Sequence, residues 1–99
     1  MIVAYSTASR DDLRAIAAWI AKDNRPRALT FVRELRRECE SLGDHPRAYP
    51  SVGRHRGRDV RRRAWRDYLI FYEVEPDRVV ITRVFHGARD YEAILSSED

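Results

Sequence analysis

The chain has one cysteine, Cys39, so no internal disulfide can staple the fold, and a reducing cytosol is the expected compartment. No apolar run approaches the roughly 20 residues that a membrane-spanning helix needs. The opening Met1-Ile2-Val3-Ala4-Tyr5 lacks a basic segment followed by a long apolar stretch, so no signal peptide is expected. Glycine is scarce, at four residues, and none sits in a phosphate-cradling cluster. His45 and His55 have neither cysteine partners nor metal-ligand spacing, so no metal and no cofactor is expected. Lysine is nearly absent: of 19 basic residues only Lys22 is a lysine, and the rest are arginine. Internal repeats and low-complexity segments are lacking as well.

What is present suits one small domain spanning residues 1–99. A 43% hydrophobic fraction is enough for a core and too much for a disordered tail. The formal charge is +3, but it is unevenly spread. Arg54, Arg56, Arg58, Arg61, Arg62, Arg63 and Arg66 crowd one stretch against a single acid, Asp59. Arginine's planar fork suits bidentate contact with carboxylate or phosphate, so the patch points to an anionic partner, either nucleic acid or an acidic protein segment. The plainer alternative is a solvated strand whose charges protect a sheet edge.

Ile2 to Ser6 reads as a short strand. Ser9, three residues before Asp12, predicts a capped helix start, and Leu13, Ile16, Ala17 and Ile20 mark one apolar face. Asp23-Asn24-Arg25-Pro26 breaks the pattern, with Asn24 placed to cap a second helix. Ala28, Phe31, Val32, Leu35, Cys39 and Leu42 keep to one face of that helix, and Gly43 stands where a left-handed terminator is wanted. Cys39 reads as a small core residue on this stripe. Asp44 to Gly57 reads as a loop. The period then changes to two, giving strands over Val60–Trp65, Tyr68–Glu75 and Arg78–Phe85 whose short links force antiparallel pairing. Asp90 is placed to cap a short last helix carrying Ala93, Ile94 and Leu95. The expected fold is α+β, in the order β-α-α-β-β-β with a short C-terminal helix: a helical hairpin packed on one face of a four-stranded antiparallel sheet.

These elements resemble the ParE/RelE superfamily of small bacterial toxins. Ala8-x-x-Asp11-Asp12-Leu13-x-x-Ile16 is similar to the family's opening pattern, and Arg27-Ala28-x-x-Phe31 with Leu42-x-x-x-Pro46 to its second helix and exit loop. Tyr68-Leu69-Ile70-Phe71-Tyr72-Glu73-Val74 resembles its central strand. Val80-x-x-Arg83-Val84-Phe85-His86-Gly87-Ala88-Arg89-Asp90 resembles the ending usual in the ParE branch, and is the most specific piece. The resemblance implies the toxin of a type II toxin–antitoxin module. It implies a ParD-like antitoxin bound in a hetero-oligomer and interference with DNA gyrase.

RelE-type relatives cleave ribosome-bound mRNA, which needs a base, an acid and cations for the developing charge. Arg83, His86, Arg89 and Tyr91 could be cast in those roles. Against this, Arg83 and His86 also read as ordinary strand side chains, and the lysine-rich set typical of many such nucleases is missing. The expectation is therefore a protein that acts by binding and is not an enzyme. Its partner-contacting residues are expected among Arg58, Arg61, Arg62, Arg63, Trp65 and Arg83. An arginine-rich nucleic-acid-binding module is the third reading. Because Trp65 and Tyr68 are more simply core than a base-stacking platform, no sequence-specific DNA binding is expected.

Overall fold

The computed structural model describes residues 1–90, 92 and 94. Strand β1 (Ile2–Tyr5) leads into helix α1 (Thr7–Ala21), a two-helix hairpin is completed by α2 (Arg25–Ser41), and four strands follow: β2 (Ser51–His55), β3 (Arg58–Trp65), β4 (Tyr68–Val74) and β5 (Arg78–His86). The sheet order is β1-β5-β4-β3-β2. The α+β class and the packed helical hairpin are as expected, but the sheet has five strands rather than four. It is also mixed, because β1 runs parallel to β5 while the other neighbours are antiparallel. Short links govern only consecutive strands. The first and last strands are joined through the whole chain and are free to pair in either sense.

Local signals explain most element boundaries. The α1 cap is Ser6, whose hydroxyl accepts from the Ser9 N–H at 3.1 Å while Ser9 Oγ donates to the Ser6 carbonyl at 2.9 Å. The helix thus starts one turn before the expected Ser9, which is instead buried inside its first turn. Asn24 caps α2 through the Arg27 N–H at 3.0 Å, with Pro26 in the first turn where its missing N–H does no harm. Gly43 ends α2 for a different reason than expected. Its φ is not among the positive ones, and a Cβ there would stand 2.3 Å from the Met1 carbonyl oxygen, so the position needs space. The expected 44–57 loop holds β2, a bulged edge strand with little apolar alternation. Its return to β3 uses Arg56 and Gly57 at φ 55° and 79°, the left-handed pair of a tight hairpin turn. At the expected short C-terminal helix the described residues Glu92 and Ile94 are helical and the Ile94 N–H donates to the Asp90 carbonyl at 2.9 Å, but no helix is shown there as an element. Ala93 and Leu95 of that expectation lie outside the described residues.

The core has two parts. Helix residues Leu13, Ile16, Phe31, Leu35, Cys39 and Leu42 pack on Tyr68, Ile70, Tyr72, Val79, Ile81 and Val84 of the sheet. Phe71, Phe85 and Ile94 form a smaller cluster on the opposite face, with Val52, Val60 and Leu69 against it. A bulge in β5 at Thr82 links the two, since Phe71 pairs with Arg83 but Tyr72 with Ile81. The helix-facing set therefore changes from odd positions, Val79 and Ile81, to an even one, Val84, and Arg83 and Phe85 turn to the far side.

Candidate functional site

The residues after the bulge gather the chemistry. Strand β1 covers β5 only from Arg78 to Ile81, so the strand beyond it has an open edge. The Ser6 N–H and Oγ take the Ile81 and Thr82 carbonyls at 2.9 Å each. Asp12 of α1 then closes the next stretch. Its carboxylate accepts from the Val84 N–H at 2.9 Å and from Arg83 Nε and Nη2 at 2.8 and 3.1 Å. This hydrogen bonding holds the Arg83 pKa above its ordinary value. The Arg83 guanidinium also lies 4.4 Å over the Phe85 ring. Two of the three Arg83 guanidinium nitrogens are thus committed to Asp12.

His86 and Arg89 do come together. The Arg89 N–H donates to His86 Nδ1 at 3.1 Å, and the His86 ring stands edge-on to Tyr68 at 5.2 Å. A ring nitrogen that accepts a backbone N–H is not free to take a proton from a substrate. The Arg89 guanidinium donates to the Tyr68 hydroxyl at 3.2 Å and covers the Trp19 ring at 4.4 Å. Burial pushes the Tyr68 phenol up despite the opposing Arg89 charge, which makes it a poor proton donor near neutral pH. Asp90 reaches back to the His86 N–H at 2.8 Å, tying the turn to the strand end. Tyr91 lies outside the described residues. Between α1 and β5 these groups leave a shallow cleft of about 310 Å³ lined by Asp12, Ala15, Trp19, Arg83, Phe85 and Arg89.

The arginine run is spread over two faces of the sheet. Arg61 and Arg63 point to the helix side. Arg61 binds Asp59 at 2.8 Å and the Tyr49 carbonyl at 2.7 Å. Arg63 binds the Glu38 carboxylate at 2.6 Å, the Glu38 carbonyl at 3.0 Å and Ser41 Oγ at 3.2 Å, and lies over the Tyr49 ring. Trp65 packs on Phe31 at 5.5 Å and is covered by Arg66. Arg58 and Arg62 lie on the opposite side of the pleat. Arg58 pairs with Glu73 and Glu75 at 3.4 and 3.8 Å, and Arg62 stands opposite Phe71 in the register. Cys39 is fully buried, and burial pushes its thiol up to about 12, so it is inert packing.

Among the described residues no three His, Cys, Asp or Glu side chains are grouped to hold a metal. Nor is any helix among them long and apolar enough to cross a membrane. Asp12 and Trp19 are the site residues that sequence reasoning missed. In sequence Asp12 reads as part of a helix start, and nothing local says that it reaches a residue 71 positions away.

No curated protein sequence matches the chain. A solved structure described as the chromosomal ParDE TA system from P. aeruginosa is similar to it, with TM-score 0.71 and 17% identity over 87% of this chain and 95% of that one. At that identity the likeness speaks for the fold. The family model described as the ParE toxin of the type II toxin–antitoxin system parDE matches residues 3–91. With a match running from β1 through the Arg83–Asp90 cluster, the chain belongs to the ParE toxin family of type II toxin–antitoxin systems.

Proposed function

We propose that this toxin acts by binding DNA gyrase, without catalysis of its own, and that a ParD-like antitoxin holds it inactive in a hetero-oligomer. The observation that carries the reading is the engagement of Arg83 and of one His86 ring nitrogen inside the fold. Arg83 is doubly bonded to Asp12, and His86 Nδ1 is spent on the Arg89 N–H. A general acid–base site needs groups within hydrogen-bond reach of the substrate's protons and not already paired. The family match over residues 3–91 supports the same side.

For the antitoxin, Arg58, Arg62 and Trp65 remain proposed contacts. Arg61 and Arg63, whose side chains are only 17% and 14% exposed, are proposed to support that surface, as is Arg83 through its double hydrogen bond to Asp12. Apolar anchors should dominate the affinity while the arginines set register and association rate.

The test is purified toxin added to a gyrase supercoiling assay and, separately, to cell-free translation. Inhibited supercoiling or trapped cleaved plasmid with unimpaired translation is expected, and antitoxin should reverse it. The His86→Ala variant should retain most of this activity. Ribosome-dependent mRNA fragments with gyrase unaffected, and a loss of about 10²–10⁴-fold on His86→Ala, would overturn the reading in favour of a nuclease.

A further inference from the structure

The most basic stretch of the sequence is not the barest positive surface of the molecule. In that stretch Arg58, Arg61, Arg63 and Arg66 each lie within salt-bridge distance of a carboxylate, and Arg54 and Arg56, at the β2–β3 hairpin, are exposed and in no salt bridge among the described residues. The outer face of α2 is different. Arg25, Arg33, Arg36 and Arg37 are all exposed and take part in no salt bridge among the described residues. With 3.6 residues per turn they fall within about 120° of arc, opposite the buried Ala28, Phe31, Leu35 and Cys39. Arg36 rests over the Tyr5 ring at 5.1 Å, and Arg10 of α1 donates to the Tyr5 carbonyl at 3.4 Å, so Arg10 extends the stripe across the hairpin. Glu40 is the one acid on this arc, and Leu29 its one large apolar side chain.

We propose that this α2 arginine stripe is a sequence-independent docking face for the phosphate backbone of duplex DNA. A protein interface gains affinity from a buried apolar centre, and here only Leu29 could supply one. Phosphate binding needs none, and arginine's fork matches phosphate geometry. Arg25 to Arg37 spans about 18 Å of helix axis, a length along which duplex DNA presents a charge every ~1.7 Å. The proposal rests on the gyrase reading only for its purpose, which is to give the toxin a hold on the DNA that the enzyme carries. The binding itself requires neither gyrase nor antitoxin.

The test is fluorescence anisotropy of a short labelled duplex of mixed sequence titrated with the purified toxin over a range of salt concentrations. Replacing Arg25, Arg33 and Arg37 together by Ala should lower the salt slope by about 2.7, at roughly 0.9 per phosphate contact, and weaken binding tenfold or more. Replacing them by Lys should keep the slope, and all variants should retain the wild-type circular dichroism because these side chains hold no other element in place. A control of equal charge loss, Arg54, Arg56 and Arg78 to Ala, should leave the slope nearly unchanged. Absence of duplex binding, or equal losses in the two Ala triples, would overturn the proposal. So would tighter binding of labelled polyglutamate than of duplex, which would mark the face as one for an acidic protein. Each result is independent of the supercoiling assay, so failure here leaves the gyrase reading standing, and the reverse holds too.

Discussion

Replacing Asp12 by alanine removes three hydrogen bonds at once, and their unequal worth makes the perturbation informative. The Val84 N–H loses its acceptor where the residue is only 2% exposed, and an orphaned buried donor costs about 1–3 kcal/mol. The pairing with Arg83 is worth less, because that side chain is 40% exposed and water can replace the carboxylate, so about 0.2–1 kcal/mol applies. Asp12→Ala should therefore cost about 1–4 kcal/mol, and Arg83→Ala at most about 1 kcal/mol. Asp12→Asn keeps one acceptor for Val84 and should fall between them. In a domain of this size each kcal/mol shifts the melting temperature by roughly 4–8 °C. Urea unfolding of the three variants and the double mutant measures both the ranking and the Asp12–Arg83 coupling. Equal costs for Asp12→Ala and Arg83→Ala would show that the ion pair, and not the closure of the β5 edge, is what Asp12 supplies.

Leu35 is fully buried between the hairpin and the sheet, so Leu35→Ala should cost about 2–5 kcal/mol, and wild-type melting would show the helix face to be misassigned. Acid should also destabilise the fold. Hydrogen bonds from Ser51 and Arg61 hold Asp59 below its ordinary range, as Arg27 does for Glu34 and Arg78 for Glu75. Stability from such depressed carboxylates is fully present above their unfolded values and is lost as pH falls through the folded ones, so the melting temperature should drop below the normal carboxylate range. A melting temperature flat through that range would refute the assignment.

The parts of the fold that were legible are those in which local periodicity and tertiary packing agree. The Ala28–Leu42 stripe reports one buried face, which the structure buries, and in β4 the apolar residues fall on both alternating sets and both are covered, with Tyr68, Ile70 and Tyr72 toward the helices and Phe71 on the far side. The parts that escaped depend on distant chain. Strand β2 carries its pairing as an edge, with Val52 its only apolar residue, so no alternation announces it. The Thr82 bulge puts apolar residues on both alternating sets of β5, and period counting cannot tell a parity switch from a strand buried on both faces. The parallel pairing of β1 has no local cause at all. Of the site, the Arg83–Asp90 segment was visible as a motif, whereas its anchor Asp12 became visible only when α1 was folded against the open end of β5.

Charge shows the same limit. A run of arginines is a patch only if the pleat leaves its members on one side and no acid reaches them. Arg63 shows how far this one departs from that condition. Its guanidinium is 14% exposed and joins β3 to the end of α2 through the Glu38 carboxylate, the Glu38 carbonyl and Ser41 Oγ. Helix carbonyls near a C-terminus lack partners within the helix, and a cation there also meets the negative end of the helix dipole. Arg63→Ala removes the cation and leaves Glu38 without its partner in a half-buried setting. Hydrogen bonds to charged groups are worth about 1.5–3 kcal/mol, and a cost in that range is expected for this one change. Arg63→Lys keeps the charge but not the fork, so it should recover only part of the loss. Thermal melts of the free toxin and calorimetric titration with antitoxin separate the two possible roles. A structural arginine lowers the melting temperature while antitoxin affinity, measured where the variant is folded, stays within a few-fold of wild type. An unchanged melting temperature with a large loss of affinity would return Arg63 to the partner surface and refute the internal role assigned to it.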